Sequence, residues 1–137
     1  MARHYRQAPL NSIWEGSGNV ICLDVLRAMG REPDALEALR AELALSRGAQ
    51  PEYDACLSKI DAELNSGIDL ESSARRIVER FALALQAHLL VQTGHMDIAE
   101  SFMRSRLGAE RFSQFGTLPD GAAIKKLIER AHPRRSL

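Results

Sequence analysis

Apolar residues recur at intervals of three and four along most of this sequence, which is the spacing of one face of an α-helix. A glycine or a proline follows each of these periodic segments and predicts where its helix ends. The pattern predicts helices at about residues 19–29, 33–46, 51–65, 70–93, 96–107 and 119–131. We therefore expect an all-α fold, a helical bundle of about five to six helices.

The longest predicted helix, at residues 70–93, has the most distinctive pattern. Over residues 81–91 it is apolar on nearly all sides, as expected for a helix at the centre of a bundle. Asp69 is a candidate cap for this helix, because its carboxylate can accept hydrogen bonds from unpaired first-turn amides. Thr117 or Asp120 is a candidate cap for the last helix.

The composition is that of a globular domain with a substantial core, since 45% of the 137 residues are hydrophobic and only 5% are aromatic. Leucine, alanine and isoleucine supply most of the apolar side chains, which favours helix packing over a β-sandwich. The formal net charge is zero, with 18 basic and 18 acidic residues. The chain as a whole therefore has no general attraction for nucleic acid or an anionic membrane.

The cysteines and histidines do not predict a metal site. Cys22 and Cys56 lack metal-ligand spacing, and we interpret them as small core residues of a protein in a reduced, cytoplasmic setting. His88 is interpreted as a packed, hydrogen-bonded core histidine. The apolar run at residues 81–91 is too short to span a bilayer, so we expect a soluble protein with no metal and no membrane partner.

Residues 5–19 place one carboxylate, that of Glu15, in a glycine-rich turn directly ahead of an apolar helix. Gly16 and Gly18 are predicted to let the backbone turn tightly around it. Ser12 and Glu15 have the spacing of a capping box, in which the two side chains bind amides at a helix start. Alternatively, a carboxylate in an apolar pocket has the raised basicity that proton abstraction requires. Residues 1–17 contain Pro9 and Gly16 and have few periodic apolar positions. They are therefore predicted to be an extended or irregular arm that leads into this turn.

The same segment resembles a known family. Residues 14–17 read Trp-Glu-Gly-Ser and are similar to the aromatic-Glu-Gly-Thr/Ser segment of the acyl-CoA dehydrogenase superfamily. Members of that family carry this segment on a loop between two helices of a C-terminal bundle. Residues 8–20 and 23–27 are similar to the alkylation-response (AidB-type) branch of the superfamily.

This resemblance implies a catalytic role for the loop. Glu15 matches the general base that takes the α-proton of an acyl-CoA thioester while the flavin, FAD, accepts the β-hydride. Gly16, Ser17 and Asn19 match positions near the flavin. Ile13 and Trp14 are expected either to wall the acyl pocket or to be ordinary packing anchors.

The resemblance also implies a division of the chain. Residues 1–30 would end the dehydrogenase-like C-terminal helical domain, and residues 31–137 would form an additional C-terminal helical domain. The flavin-binding domains would be supplied by a longer parent protein, so the isolated chain is expected to be inactive. Apolar surface on the predicted helix at residues 19–29 would then favour a homo-oligomer.

The basic C-terminal end offers an alternative function. Residues 108–137 contain six basic and three acidic side chains, and the resemblance associates this region with DNA binding. The chain could therefore be a non-catalytic module that binds DNA weakly, or binds a protein. A solvated helix face is the other interpretation of the same charges. The candidate nucleic-acid contacts are Lys125, Lys126, Arg130, Arg134 and Arg135.

Overall fold

A computed structural model of the protein describes residues 2–14, 16–67, 69–109 and 116–132. The helices are α1 (Ala2–Gln7), α2 (Gly18–Arg31), α3 (Pro33–Ala44), α4 (Pro51–Leu64), α5 (Ala74–Gln92), α6 (Met96–Arg106) and α7 (Ile124–Ala131). Two 3-10 segments, Ala8–Ser12 and Glu71–Ser73, lie between them. Within these described ranges there is no β-strand. The predicted all-α fold is therefore confirmed.

Helix α5 is the centre of the bundle. It packs against α2, α3, α4 and α6, which accounts for the apolar residues on most of its sides. The side chains that form the buried core come from α3, α4, α5 and α6, and include Leu43, Tyr53, Ile60, Ile77, Phe81 and Met103. Cys22 and Cys56 are also buried, as expected of small core residues.

The N-terminal arm differs from its prediction. Residues 1–17 were expected to be extended or irregular, but α1 and the 3-10 segment Ala8–Ser12 make this region helical. Pro9 lies in the first turn of the 3-10 segment, where its fixed φ is compatible with helical geometry. Ser12 ends the segment and its hydroxyl donates to the Pro9 carbonyl oxygen at 3.0 Å. Ser12 therefore does not begin a capping box.

Two helix caps also differ from the prediction. Asp69 accepts a hydrogen bond from the Glu71 amide at 3.1 Å, so it caps the short 3-10 turn rather than α5 itself. Helix α7 begins after Ala123, too late for Thr117 or Asp120 to occupy its cap position. The Ala123 amide instead donates to the Ser101 hydroxyl oxygen of α6 at 3.2 Å. A hydrogen bond to α6 therefore holds the residue that directly precedes α7.

His88 is buried in the core, as predicted, and joins α5 to α3. The Ser46 hydroxyl and His88 Nδ1 are 2.8 Å apart, and His88 Nε2 is 2.8 Å from the Glu42 carboxylate. These three side chains have the composition of a hydrolytic triad. Ser46 is only 2% exposed, however, so its hydroxyl cannot meet a substrate, and we interpret the group as a structural network.

Tyr53 makes the protein sensitive to alkaline pH. Its hydroxyl donates to the Leu43 carbonyl oxygen at 2.8 Å, and burial of the phenol raises the pKa of Tyr53 to about 12. The unfolded phenol ionises near pH 10, so the folded state holds the proton to higher pH. Stability from this group is complete below pH 10 and is lost as pH rises towards 12.

We therefore expect the free energy of unfolding to fall by about 1.4 kcal/mol between pH 9 and pH 11 through Tyr53 alone. Tyr53→Phe should remove this part of the pH dependence, and it should also lower stability at pH 8 by about 1 kcal/mol through the lost hydrogen bond. Urea unfolding at pH 8, pH 9 and pH 11 measures both effects. Tyr5→Phe is the matched control because Tyr5 is 83% exposed. An equal pH dependence in Tyr53→Phe and the unmodified protein would contradict this expectation.

Candidate functional site

The loop between the N-terminal arm and α2 carries the predicted site residues. The Trp14 amide donates to the Leu10 carbonyl oxygen at 3.1 Å, and the Gly16 amide donates to the Ile13 carbonyl oxygen at 3.3 Å. Glu15, the predicted base, lies outside the described residues. The structure therefore describes the loop residues before and after Glu15.

Gly16 gives the loop its turn. Its φ is +113°, and a Cβ atom added there would lie 3.5 Å from Val20 Cγ1. Residues with a side chain rarely adopt such a φ, so the tight turn predicted at this glycine is present. Gly18 was also predicted to help the turn, but it is the first residue of α2 and its φ is not positive.

Ser17 and Asn19 present polar side chains beside this turn. Ser17 occupies the N-cap position of α2 with an extended backbone, and its hydroxyl makes no capping hydrogen bond to the described residues. Asn19 lies in the first turn of α2, and both side chains are exposed. Their hydrogen-bonding groups are thus accessible next to the loop.

Arg75 is a residue of this site that the sequence analysis missed. It belongs to the first turn of α5, and its Nη1 is 3.4 Å from the Asn19 Oδ1 atom. A Cβ atom on Gly18 would lie 3.1 Å from Arg75 Nη2. The two partners are 56 residues apart in sequence, so no local pattern could have related them.

Large apolar side chains surround the loop without being buried. Ile13 is 69% exposed and Trp14 is 62% exposed. Neither side chain therefore packs into the core formed by the described residues. Tyr5, Leu10 and Val20 add further exposed apolar surface. Such a patch is typical of a contact with another protein segment.

The basic helix α7 is attached to α6 by a charge pair. Lys126 is paired with Asp97, and the hydrogen bond between them lowers the pKa of Asp97 and raises the pKa of Lys126. Lys125 and Arg130 are exposed. Arg134 and Arg135 lie outside the described residues. Of the predicted nucleic-acid contacts, Lys126 thus has a protein partner.

Other features of the described chain do not enlarge the site. A groove of about 650 Å³ between α3, α4 and α5 has Leu36, Phe81 and the linked Arg40 and Asp61 among its walls, and none of the loop residues. Residues 2–14, 16–67, 69–109 and 116–132 contain no cluster of His, Cys, Asp and Glu side chains suited to a metal ion. None of the helices described is long and apolar enough to cross a membrane.

The comparison with known proteins supports the family resemblance. The chain is 33% identical over 91 residues to AidB of Escherichia coli (strain K12), an acyl-CoA dehydrogenase-like protein. The match covers 66% of this chain and falls in the C-terminal region of that protein. The chain resembles part of an AidB-type acyl-CoA dehydrogenase. The family resemblance predicted from the loop is thereby confirmed.

The match with AidB is also limited in extent, since it covers 16% of the length of AidB. The activity, substrates and partners of a whole dehydrogenase are therefore matters of proposal for this chain. No protein-family profile matches the sequence, and no solved structure matches it.

The need for a glycine at position 16 can be tested by comparison with Gly30, a glycine within α2. We expect Gly16→Ala to displace the loop, because a Cβ atom at this φ costs about 1–3 kcal/mol locally. Gly30→Ala should instead raise the free energy of unfolding by about 0.5–1 kcal/mol, because this helical position has open space around it and alanine favours helix. NMR chemical shifts of the Trp14 indole and the Ser17 amide report the loop, and urea unfolding reports stability. Unchanged loop shifts in Gly16→Ala would contradict the requirement.

Proposed function

We propose that this chain is the C-terminal portion of a flavin-dependent acyl-CoA dehydrogenase-like protein of the AidB type. In that protein it contributes the base loop for α,β-oxidation of an acyl-CoA thioester. The observation that carries the proposal is the Trp-Glu-Gly-Ser-Gly-Asn segment at residues 14–19. Its described residues form the turn at Gly16 and the start of α2, in a chain that is similar to AidB.

The chemistry assigns the central role to Glu15. Its carboxylate takes the α-proton of the thioester. Ile13 and Trp14, which precede Glu15 in the sequence and are exposed in this chain, would exclude water once the flavin-binding domains cover them. Exclusion of water raises the basicity of a carboxylate, which favours proton abstraction from a weak carbon acid. The flavin, when bound, accepts the hydride from the β-carbon.

The residues beside Glu15 fit a flavin. Ser17 supplies an exposed hydroxyl, Asn19 supplies an exposed amide, and the first-turn amides of α2 are hydrogen-bond donors directed away from that helix. Carbonyl and phosphate oxygens, which FAD carries, are the natural partners of such donors. Gly16, with no side chain, lets the loop approach closely. We therefore propose that FAD binds here in the complete protein, with no tight binding to this chain alone.

The exposed apolar residues around the loop support the proposed partner. Ile13, Trp14 and Val20 would be covered by the flavin-binding domains, which would also supply the electron acceptor that a lone base lacks. Alone, the chain would be inactive, and the same surface would favour a homo-oligomer.

Sedimentation of the isolated chain should show oligomers that Trp14→Ser weakens. A concentration-independent monomer would exclude self-association through this surface.

The proposed activity is tested in a joined flavoprotein, which we define as E. coli AidB with this chain in place of its C-terminal region. An acyl-CoA added without oxygen should bleach the flavin absorbance as the flavin is reduced. A joined flavoprotein that holds FAD but shows no bleaching with short, medium or branched acyl-CoA would contradict the proposed oxidation.

The alternative proposal is a non-catalytic helical module that binds DNA or a protein through α7. It is favoured by Lys125 and Arg130, which are exposed and are not paired with a carboxylate among the described residues. Changing both to alanine should weaken DNA binding at low salt, whereas Lys59→Ala, an exposed change on α4, should not. Fluorescence anisotropy with a labelled duplex measures the binding. Equal affinity in all three proteins would exclude this function for α7.

A further inference from the structure

Arg75 lies against the first turn of α2, directly beside the proposed flavin-binding loop. Its Nη2 and Cζ atoms would lie 3.1 and 3.6 Å from a Cβ atom on Gly18, so the absence of a side chain at Gly18 leaves room for the guanidinium group. The next residues of α5 are fixed in the core, because Ala74 and Ile77 are buried. The packing of α5 on α2 therefore brings Arg75 to this place.

The position of Arg75 is not explained by helix stability. The guanidinium lies near the N-terminus of α2 and belongs to the first turn of α5, and a cation is unfavourable at the positive end of a helix dipole. Among the described ranges, no carboxylate forms an ion pair with it. Neither the helix dipoles nor an ion pair with a described carboxylate therefore stabilises the guanidinium at this place.

The contact with Asn19 has a chemical consequence. An arginine side chain has only hydrogen-bond donors, so the group of Asn19 that faces it must be the amide oxygen. The distance between Arg75 Nη1 and Asn19 Oδ1 is 3.4 Å. With its oxygen turned towards Arg75, the Asn19 side chain keeps its NH2 group to donate to a ligand.

We propose that Arg75 is a positioning residue that orients the Asn19 amide so that its NH2 group donates to an oxygen atom of the flavin. The inference rests on the proposed function, because it takes the loop to be a flavin site. It assigns a role in that site to the additional C-terminal helical region, which contributes Arg75. A Cβ atom at position 18 would press on the guanidinium, which would have to shift by a few tenths of an ångström.

The test uses the 137-residue chain and the joined flavoprotein. Arg75→Met keeps the length of the side chain and removes its donors, while Arg75→Lys restores one donor. Arg76→Met is the matched control, since Arg76 is the next residue of α5 and its guanidinium binds Glu63 and Ser73 away from the loop. NMR of the isolated chain follows the Asn19 side-chain NH2 signals, and fluorescence titration of the joined flavoprotein gives the Kd for FAD.

We expect Arg75→Met to shift the Asn19 side-chain signals and to raise the Kd for FAD about 5–10-fold, the effect of one lost hydrogen bond. Arg75→Lys should recover part of the affinity, and Arg76→Met should leave both readouts unchanged. Asn19→Ala should weaken FAD binding by a similar factor. Adding Arg75→Met to Asn19→Ala should cause little further loss, because the two residues act as one unit.

The outcomes separate this inference from the proposed function. If the joined flavoprotein binds FAD and Arg75→Met leaves its Kd unchanged, the role of Arg75 is overturned and the flavin site stands. Unshifted Asn19 signals, or additive losses in the double variant, would also overturn it. If the joined flavoprotein itself does not bind FAD, the proposed function fails together with the inference.

Discussion

Replacing Glu15 with glutamine should lower the rate of acyl-CoA dehydrogenation by the joined flavoprotein about 10²–10⁴-fold, the range for loss of a general base. Glutamine has nearly the shape of glutamate but cannot accept the α-proton at neutral pH. The flavin should remain bound, because the proposed flavin contacts are Gly16, Ser17 and Asn19 rather than the carboxylate. Stopped-flow bleaching of the flavin absorbance measures the rate, and the absorbance before mixing measures flavin content.

Glu37→Gln is the control for this change. Glu37 is exposed on α3, and its replacement removes one negative charge away from the loop. It should alter the rate less than 2-fold. If Glu15→Gln keeps bound flavin and reacts within 2-fold of the unmodified joined protein, Glu15 is not the base, and the proposed role of the loop is lost.

Replacing His88 with alanine should cause the largest loss of stability, about 3–5 kcal/mol. His88 is fully buried, so truncation removes core packing. It also leaves the buried Ser46 hydroxyl without its imidazole partner, which carries a further penalty. The free energy of unfolding from urea titration measures this effect.

His95→Ala is the matched control because His95 is exposed at the start of α6. It should change the free energy of unfolding by less than about 0.5 kcal/mol. Glu42→Gln should cost less than His88→Ala, since the Glu42 side chain is 54% exposed and water can replace its partner. A His88→Ala protein as stable as His95→Ala would mean that the network does not hold α3 to α5.

The helices could be predicted from the sequence because local information defines them. Gly48, Gly67 and Gly94 follow α3, α4 and α5 in turns with positive φ, a conformation that glycine adopts readily. The central place of α5 was predicted from its apolar residues on most sides. His88 could be assigned to the core because it lies within that apolar run.

The features that were predicted wrongly depend on contacts distant in sequence or on local hydrogen bonds that hydrophobic periodicity does not show. The residue that directly precedes α7 is hydrogen-bonded to Ser101, which lies 22 residues earlier. The N-terminal arm is helical, in part through a side-chain hydrogen bond from Ser12. Trp14 could not be assigned to a core or to an interface, because both environments select large apolar residues.

The candidate site shows the same division. The resemblance of residues 8–20 and 23–27 to a known family predicted the similarity to AidB, and the turn at Gly16 followed from its glycine. Arg75 could not be predicted, because its contact with Asn19 exists only once α2 and α5 have packed together. Residues that position a site are often distant from it in sequence, whereas the residues of a motif are adjacent to one another.

The mass of the polypeptide that contains this chain in its own cells tests the proposed flavoprotein most directly. An antibody raised against the chain would be used to probe an extract by immunoblot. We expect a band several times heavier than the 15.2 kDa of this chain, consistent with a match that covers 16% of AidB. A band at 15.2 kDa would contradict the proposal, because the loop would then exist without flavin-binding domains in the same polypeptide.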